Sequence, residues 1–289
     1  VNPEVLIIGC GFLGEAAAEL FSIQGRQVLG LVRGTGSLES LDGKPYESAL
    51  CDVTDQQSVV GLTNRLRNVP LAIYAVSSGR GGADSYAAIY RDGLKRVLEH
   101  WKPGRLLFVS STSVYAQTEG EWVTEESPTL PDRETGRILL EAERIALDSG
   151  GTVARLSGIY GPGRSVLLRK FLRGDSVLEE GGGRWINQIH RDDAATALIK
   201  LGDPNVPPGC YNTTDDFPAT QREVHCWMSD FLGKPLPPEG PGDRNRKRGW
   251  TSKKVSNRKL HEIGWKPDFP CFRDALPRLL PTLSSFISD

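Results

Sequence analysis

Short apolar runs alternate with amphipathic stretches through the first half of the chain. Val5-Leu6-Ile7-Ile8 has no polar break and stops at glycine, the pattern of a strand covered on both faces. Over residues 12–22 apolar positions recur at helical spacing, and Gly25 follows as a stop. The same reading predicts strands over 27–32, 46–51, 71–76, 106–109 and 153–156. Helices are predicted over about 56–66, 85–101 and 134–148. Strand and helix alternate, so the fold class is α/β, a doubly wound parallel sheet with helices on both faces and right-handed crossovers. In such a sheet the ligand is expected at the C-terminal strand ends, where strand order reverses.

Beyond Gly161 the pattern changes. Pro and Gly become frequent, as in PNVPPG and GKPLPPEGPGD, and the elements between them shorten. The expected organisation is a sheet-forming domain over 1–160 followed by a smaller C-terminal lobe.

Gly9-Cys10-Gly11-Phe12-Leu13-Gly14 fits GxGxxG at the junction of a predicted strand and a predicted helix, the context that gives this motif meaning. Gly9 permits the tight turn, Gly11 lets the main chain approach a pyrophosphate, and Gly14 lets the helix pack against the strand. Backbone N–H groups and the helix dipole then meet the anion. A dinucleotide cofactor is therefore expected. Enzymes using NAD usually carry Asp or Glu about 20 residues past the turn, on the ribose hydroxyls. Here that place holds Arg33, in GLVRGTGS. A guanidinium pairs with a 2′-phosphate that a carboxylate would repel, so NADP is expected over NAD. Asp52 and Val53, in CDVTD, stand at the end of the third strand. Two readings of Asp52 remain open: contact with the adenine edge, or capping of the following helix.

Composition narrows the function. Hydrophobic residues make up 38% and charged residues 25%, with a formal net charge of −1, which argues against a general nucleic-acid or membrane-surface binder. No apolar stretch approaches the length of a membrane helix, and no secretory signal pattern opens the sequence. The five cysteines are scattered without a CxxC pair, so a reducing, cytoplasmic setting without structural disulfides is expected, and no metal site. RNRKRGWTSKKVSNRKL is rich in Lys and Arg and lacks acids. Its readings rank as a solvated loop, then contact with an anionic small molecule, then nucleic acid. Ser256 looks like the cap of a following helix and Gly264 its stop.

Taken together, GCGFLG, CDVTD, FVSSTSVYA, ARLSGIYGPGR, INQIHRDDAATAL and NRKLHEIGWKPDFP resemble the extended short-chain dehydrogenase/reductase family, the NAD-dependent epimerase/dehydratases, over nearly the whole chain. The resemblance implies a Rossmann lobe holding NAD(P) and a C-terminal lobe holding a small polar or sugar-like substrate, with a homodimer as a common assembly. By position, Ala75, Val76 and Ser77 would line the cofactor and Ser111 would be the catalytic hydroxyl. Arg164, Asn187 and His190 would fall on the substrate wall or the hinge between lobes. The last strand of the first lobe would end near Tyr211-Asn212, so the resemblance implies that the chain returns to the 1–160 NAD(P)-binding domain at about 187–214 and that 161–186 and 215–289 form the substrate lobe.

One departure stands out. The family carries Tyr-x-x-x-Lys on the helix after the fifth strand, with a Glu further along. Counting back from Glu143 puts Thr135 in the Tyr place and Leu139 in the Lys place. A Thr hydroxyl is too weak an acid for the role of that Tyr, and Leu139 supplies no cation. Tyr115 is the best single substitute, against a packing role for it; Tyr160 and His190 are further candidates. Two functions follow: an NADP-dependent oxidoreductase or epimerase-like enzyme with non-standard catalytic residues, or a catalytically silent NAD(P)H-binding sensor or partner-binding protein.

Overall fold

The structure is a computed structural model and describes residues 2–79, 81–243 and 250–282. It divides into two compact units, one of Val1–Val114, Pro131–Arg155 and Ala195–Tyr211, the other of Tyr115–Leu130, Leu156–Ala194 and Asn212–Asp289.

The first unit is built on a seven-stranded sheet. Its strands are β1 (Val5–Ile8), β2 (Val28–Val32), β3 (Glu47–Leu50), β4 (Leu71–Tyr74), β5 (Arg105–Ser111), β6 (Thr152–Leu156) and β7 (Cys210–Thr213), in the order β7-β6-β5-β4-β1-β2-β3. Strand β1 pairs in parallel with β2 and β4, β2 with β3, and β4 with β5. Sequence order runs outward from β1 in both directions, so the reversal lies between β1 and β4, as expected for a doubly wound sheet. All residues of β1, β2 and β4 are buried, which is why these strands read as unbroken apolar runs. Strand β3 is the edge and is only partly covered.

Helix Phe12–Ile23 lies against this sheet through Gly14, Ala16, Ala17, Ala18 and Phe21. A side chain at Gly14 would put its Cβ 2.4 Å from the Gly9 carbonyl oxygen, so only glycine allows this approach. The helix expected over 56–66 is broken into Gln56–Gly61 and Thr63–Leu66, with the weak helix former Gly61 at the break. The helix expected over 85–101 begins at Ala83 and contains a wide turn, Ala87–Asp92. There the Tyr74 hydroxyl donates to the Ile89 carbonyl, and a side chain inserted into a helix ladder in this way opens a turn. Helix Glu134–Asp148 has the bounds its sequence pattern predicts. It is pinned by Glu143, which accepts from Ser110 on β5 and takes both Nε and Nη2 of Arg155 on β6, at 3.1 and 2.7 Å.

The second unit is made of short elements. Two-residue and three-residue ribbons pair Gly158–Tyr160 with Gln188–His190, Leu178–Glu179 with Glu239–Gly240, Trp122–Val123 with Lys254–Val255, and Trp185–Ile186 with Ala219–Thr220. Its core gathers Tyr160, Leu168, Phe171, Val224, Met228, Phe272 and Leu276. Local chemistry sets the helix limits. Ser165 caps Val166–Arg173 and Gly174 ends it at φ 77°, while Thr220 and Glu223 form a reciprocal cap on Gln221–Leu232. Helix Arg258–Glu262 begins after Asn257, although Ser256 Oγ does accept from the Arg258 N–H, and Gly264 follows at φ 88°.

Candidate functional site

The first unit carries a glycine turn between β1 and helix Phe12–Ile23. Gly9 has φ 92°, and a Cβ there would lie 2.7 Å from the backbone N and Cα of Val76. Gly14 is closed by backbone in the same way. Gly11 is the opposite case: a Cβ on it meets nothing within 4 Å. Two glycines are therefore required by the protein itself, and the middle one faces open space. The helix starts at Phe12 and Leu13 without a side-chain cap. An uncapped helix start behind an open glycine suits a diphosphate, whose oxygens take backbone N–H groups. The segment Ala75, Val76 and Ser77 leaves β4 beside Gly9, with the Ala75 N–H donating to the Ile8 carbonyl at 2.8 Å.

Arg33, just past β2, is exposed, and among the described residues its guanidinium has no hydrogen bond or ion pair. Asp52 Oδ1 accepts from Thr54 N and Thr54 Oγ1. The capping reading of Asp52 is thereby set aside, because Asp55 caps the next helix through Gln57 N and Ser58 N. Val53 is buried and its carbonyl accepts from Arg96 at 3.1 Å. Ser111 closes β5, and its Oγ accepts from Ser113 N at 3.2 Å. On helix Glu134–Asp148, Thr135 is half-buried and Leu139 is buried. The helix reads ETGRILLEAERIALD and holds neither Tyr nor Lys.

In the second unit the Tyr115 side chain is completely buried, and its hydroxyl donates to Asn212 Oδ1 at 2.8 Å. Asn212 in turn donates through Nδ2 to the Ser256 carbonyl. Arg164 is exposed in a tight turn, its N–H and carbonyl both bonded to Gly161. The Asn187 amide bonds to backbone on both sides, donating to the Lys253 carbonyl and accepting from the Val255 N–H. His190 is buried between Tyr160 and Phe269, with ring centroids 5.4 and 4.4 Å away. Its Nδ1 accepts from the Asp192 N–H, and burial lowers its pKa.

Sequence reasoning missed two buried carboxyls beside these groups. Asp193 accepts from the Asp268 and Phe269 N–H groups, and burial raises its pKa to about 6. Asp215 is pushed well above the usual carboxylate range by burial and by the nearby Asp216 and Asp193, and its Oδ1 has no hydrogen-bond partner. Tyr160, whose hydroxyl is also without a partner, is raised by burial and by Asp215 and Asp193. A carboxyl whose folded pKa is raised contributes stability in full below its unfolded pKa, and that contribution fades as pH rises through the folded value. Asp215→Asn is therefore expected to be more stable than the natural chain at pH 8. Its advantage should shrink toward zero near pH 4, read as the difference in Tm across the range. An advantage that does not change with pH would contradict the assignment.

Among the described residues no group of three His, Cys, Asp or Glu side chains is placed to hold a metal, and no helix is long and apolar enough to cross a membrane. All five cysteines are free. Residues 244–249 of the basic stretch lie outside the described residues.

Comparisons with known proteins agree with this arrangement. "Protein YeeZ" of Escherichia coli (strain K12) is 27% identical over 279 residues, covering 92% of this chain and 96% of that protein. A "3-diazoavenalumate denitrifying reductase" of Streptomyces sp is 26% identical over 310 residues, covering 95% of this chain and 99% of the reductase. The crystal structure of the Bordetella bronchiseptica enzyme WbmG in complex with NAD and UDP superposes with a TM-score of 0.83 at 19% identity, over 99% of this chain and 96% of that one. The model of the NAD dependent epimerase/dehydratase family matches residues 5–212, from the first residue of β1 into β7. With its glycine turn, its strand order and this match, the chain belongs to the NAD dependent epimerase/dehydratase family.

Proposed function

We propose that the protein is an NADP-dependent oxidoreductase or epimerase-like enzyme acting on a small polar substrate. The observation that carries this reading is the contrast within the glycine turn, where Gly9 and Gly14 are closed by backbone while Gly11 is open. Gly9 to Gly14 would hold the pyrophosphate and Arg33 the 2′-phosphate. Asp52 and Val53 would meet the adenosine, and Ala75, Val76 and Ser77 would wall the cofactor. A bound nicotinamide supplies hydride chemistry, and Ser111 would hold a substrate oxygen by hydrogen bond. Arg164, Asn187 and His190 belong to the substrate lobe of this reading. The reductase relative supports turnover of a small molecule, and the NAD bound to WbmG supports a nicotinamide cofactor.

The choice of NADP rests on Arg33. Charge-assisted hydrogen bonds of a guanidinium to phosphate contribute about 1.5–3 kcal/mol. Calorimetry is expected to show tighter binding of NADPH than NADH by the natural chain. Arg33→Ser is expected to weaken NADPH about tenfold or more while leaving NADH unchanged. Equal affinities in the natural chain would remove NADP from the proposal.

The Tyr-free and Lys-free helix Glu134–Asp148 favours a second reading, a cofactor-binding sensor without turnover. A substrate panel followed by NADPH absorbance separates the two, run beside a variant carrying Thr135→Tyr and Leu139→Lys. Turnover by the natural chain supports the enzyme. Tight NADPH binding with turnover only in the variant supports the sensor.

A further inference from the structure

A dinucleotide centred on the glycine turn has to lay its two nucleosides on opposite sides of that turn. Sheet order reverses between β1 and β4, with β2 on one side and β5 on the other. The β2 side offers a charge. Arg33 follows β2, is exposed, and among the described residues has no hydrogen bond or ion pair.

The β5 side lies under helix Glu134–Asp148, whose direction is fixed by contacts at two levels. Glu143 accepts from Ser110, the next-to-last residue of β5, and from Arg155, the next-to-last of β6. Just past the helix, the Gly151 N–H donates to the Ala146 carbonyl, and a Cβ at Gly151 would come 3.0 Å from the carbonyl oxygen of Leu106, near the start of β5. The helix therefore runs against the strands, and the turns before Glu143 overhang their C-terminal edge. Residues at one and two steps of four before Glu143 share its side of the helix, about 6 Å and about 12 Å further out. Those residues are Leu139 and Thr135. Leu139 is apolar and 4% exposed, and Thr135 carries a neutral hydroxyl. Ser111, at the end of β5, adds a second neutral hydroxyl, which already accepts from the Ser113 N–H. Ribose hydroxyls and a carboxamide lose water on binding, and an apolar face returns no hydrogen bond for it. Hydrogen bonds to an ionised group are about twice as strong as neutral ones, so the two sides differ in strength as well as in number.

We propose that the site holds its ligand by the 2′-phosphoadenosine diphosphate half, and that the nicotinamide nucleoside adds nothing to affinity. The chain then takes 2′-phospho-ADP-ribose, the dinucleotide without its nicotinamide, as tightly as NADPH. This inference rests on the NADP reading of the glycine turn and deepens it by naming the part of the ligand that is recognised.

Calorimetry on the whole natural protein compares NADPH with 2′-phospho-ADP-ribose, which lacks the nicotinamide ring, and with 2′-phospho-ADP, which lacks the ribose beside it as well. The three dissociation constants are expected to agree within about threefold. Reduced nicotinamide mononucleotide is expected to give no saturable heat at millimolar levels. Either fragment binding about tenfold or more weakly than NADPH, or saturable heat with the mononucleotide, overturns the inference and leaves the enzyme reading standing. NADPH binding no tighter than NADH strikes the choice of NADP alone, and the same comparison among NADH, ADP-ribose and ADP then decides the inference. No heat with any dinucleotide or fragment strikes both.

Discussion

Arg155→Met is expected to cost about 3–5 kcal/mol of stability, because it strands a buried charge. Glu143 and Arg155 are 2% and 6% exposed, and the guanidinium reaches the carboxylate through both Nε and Nη2. Ser110 donates to the same carboxylate. Removing the cation leaves Glu143 desolvated with one neutral donor. Removing both charges is a different event, since apolar residues of similar size often replace a buried pair at little cost. Arg155→Met combined with Glu143→Leu is therefore expected to recover much of the loss, with the Ser110 hydroxyl accounting for part of the remainder. Urea denaturation of the single and double variants is the measurement. A single variant no less stable than the double would show that the ion pair does not hold helix Glu134–Asp148 in place.

Gly11→Val is expected to leave the fold intact and to remove most cofactor affinity. Apart from Gly11 and its chain neighbours, no atom of the described residues lies within 4 Å of the position a Cβ would take, so the Cβ meets no packed neighbour. The space it fills is the one a pyrophosphate must enter to reach the backbone N–H groups. Losing one or two charge-assisted hydrogen bonds there, at about 1.5–3 kcal/mol each, weakens binding by about tenfold to about twenty-thousandfold. Gly14→Ala is the internal contrast. Its Cβ would stand 2.4 Å from the Gly9 oxygen, so it is expected to lower Tm first and to affect binding only as a consequence. Calorimetry with NADPH beside thermal denaturation reads both effects. Unchanged NADPH affinity in Gly11→Val would remove the glycine turn from the proposed site.

The glycine turn and the sheet were legible because both depend on short-range rules. Apolar runs of four or five residues mark strands covered on two sides, and the bounds of helix Glu134–Asp148 follow from its own periodicity. The glycine motif was readable because φ 92° at Gly9 and close packing at Gly14 are backbone demands that one residue type meets. Asp52 was less legible. Asp52 and Asp55 both suit a helix cap, and only the local turn showed that Asp55 takes it. For Tyr115 the sequence left a catalytic and a packing role open; its hydroxyl is buried against Asn212, nearly a hundred positions away.

By itself, then, the sequence determined an α/β chain with a glycine turn at the end of its first strand and a segment of short elements in its later part. These properties are set by neighbours within a few positions, through backbone sterics and apolar periodicity. Only the tertiary structure decided which polar residues lose their water and what they meet there. Lys253, Asp193 and Asp215 are ordinary surface types in the sequence, and the chain's own packing buries all three. Desolvation depends on what distant segments stack above a side chain, and no local pattern encodes it.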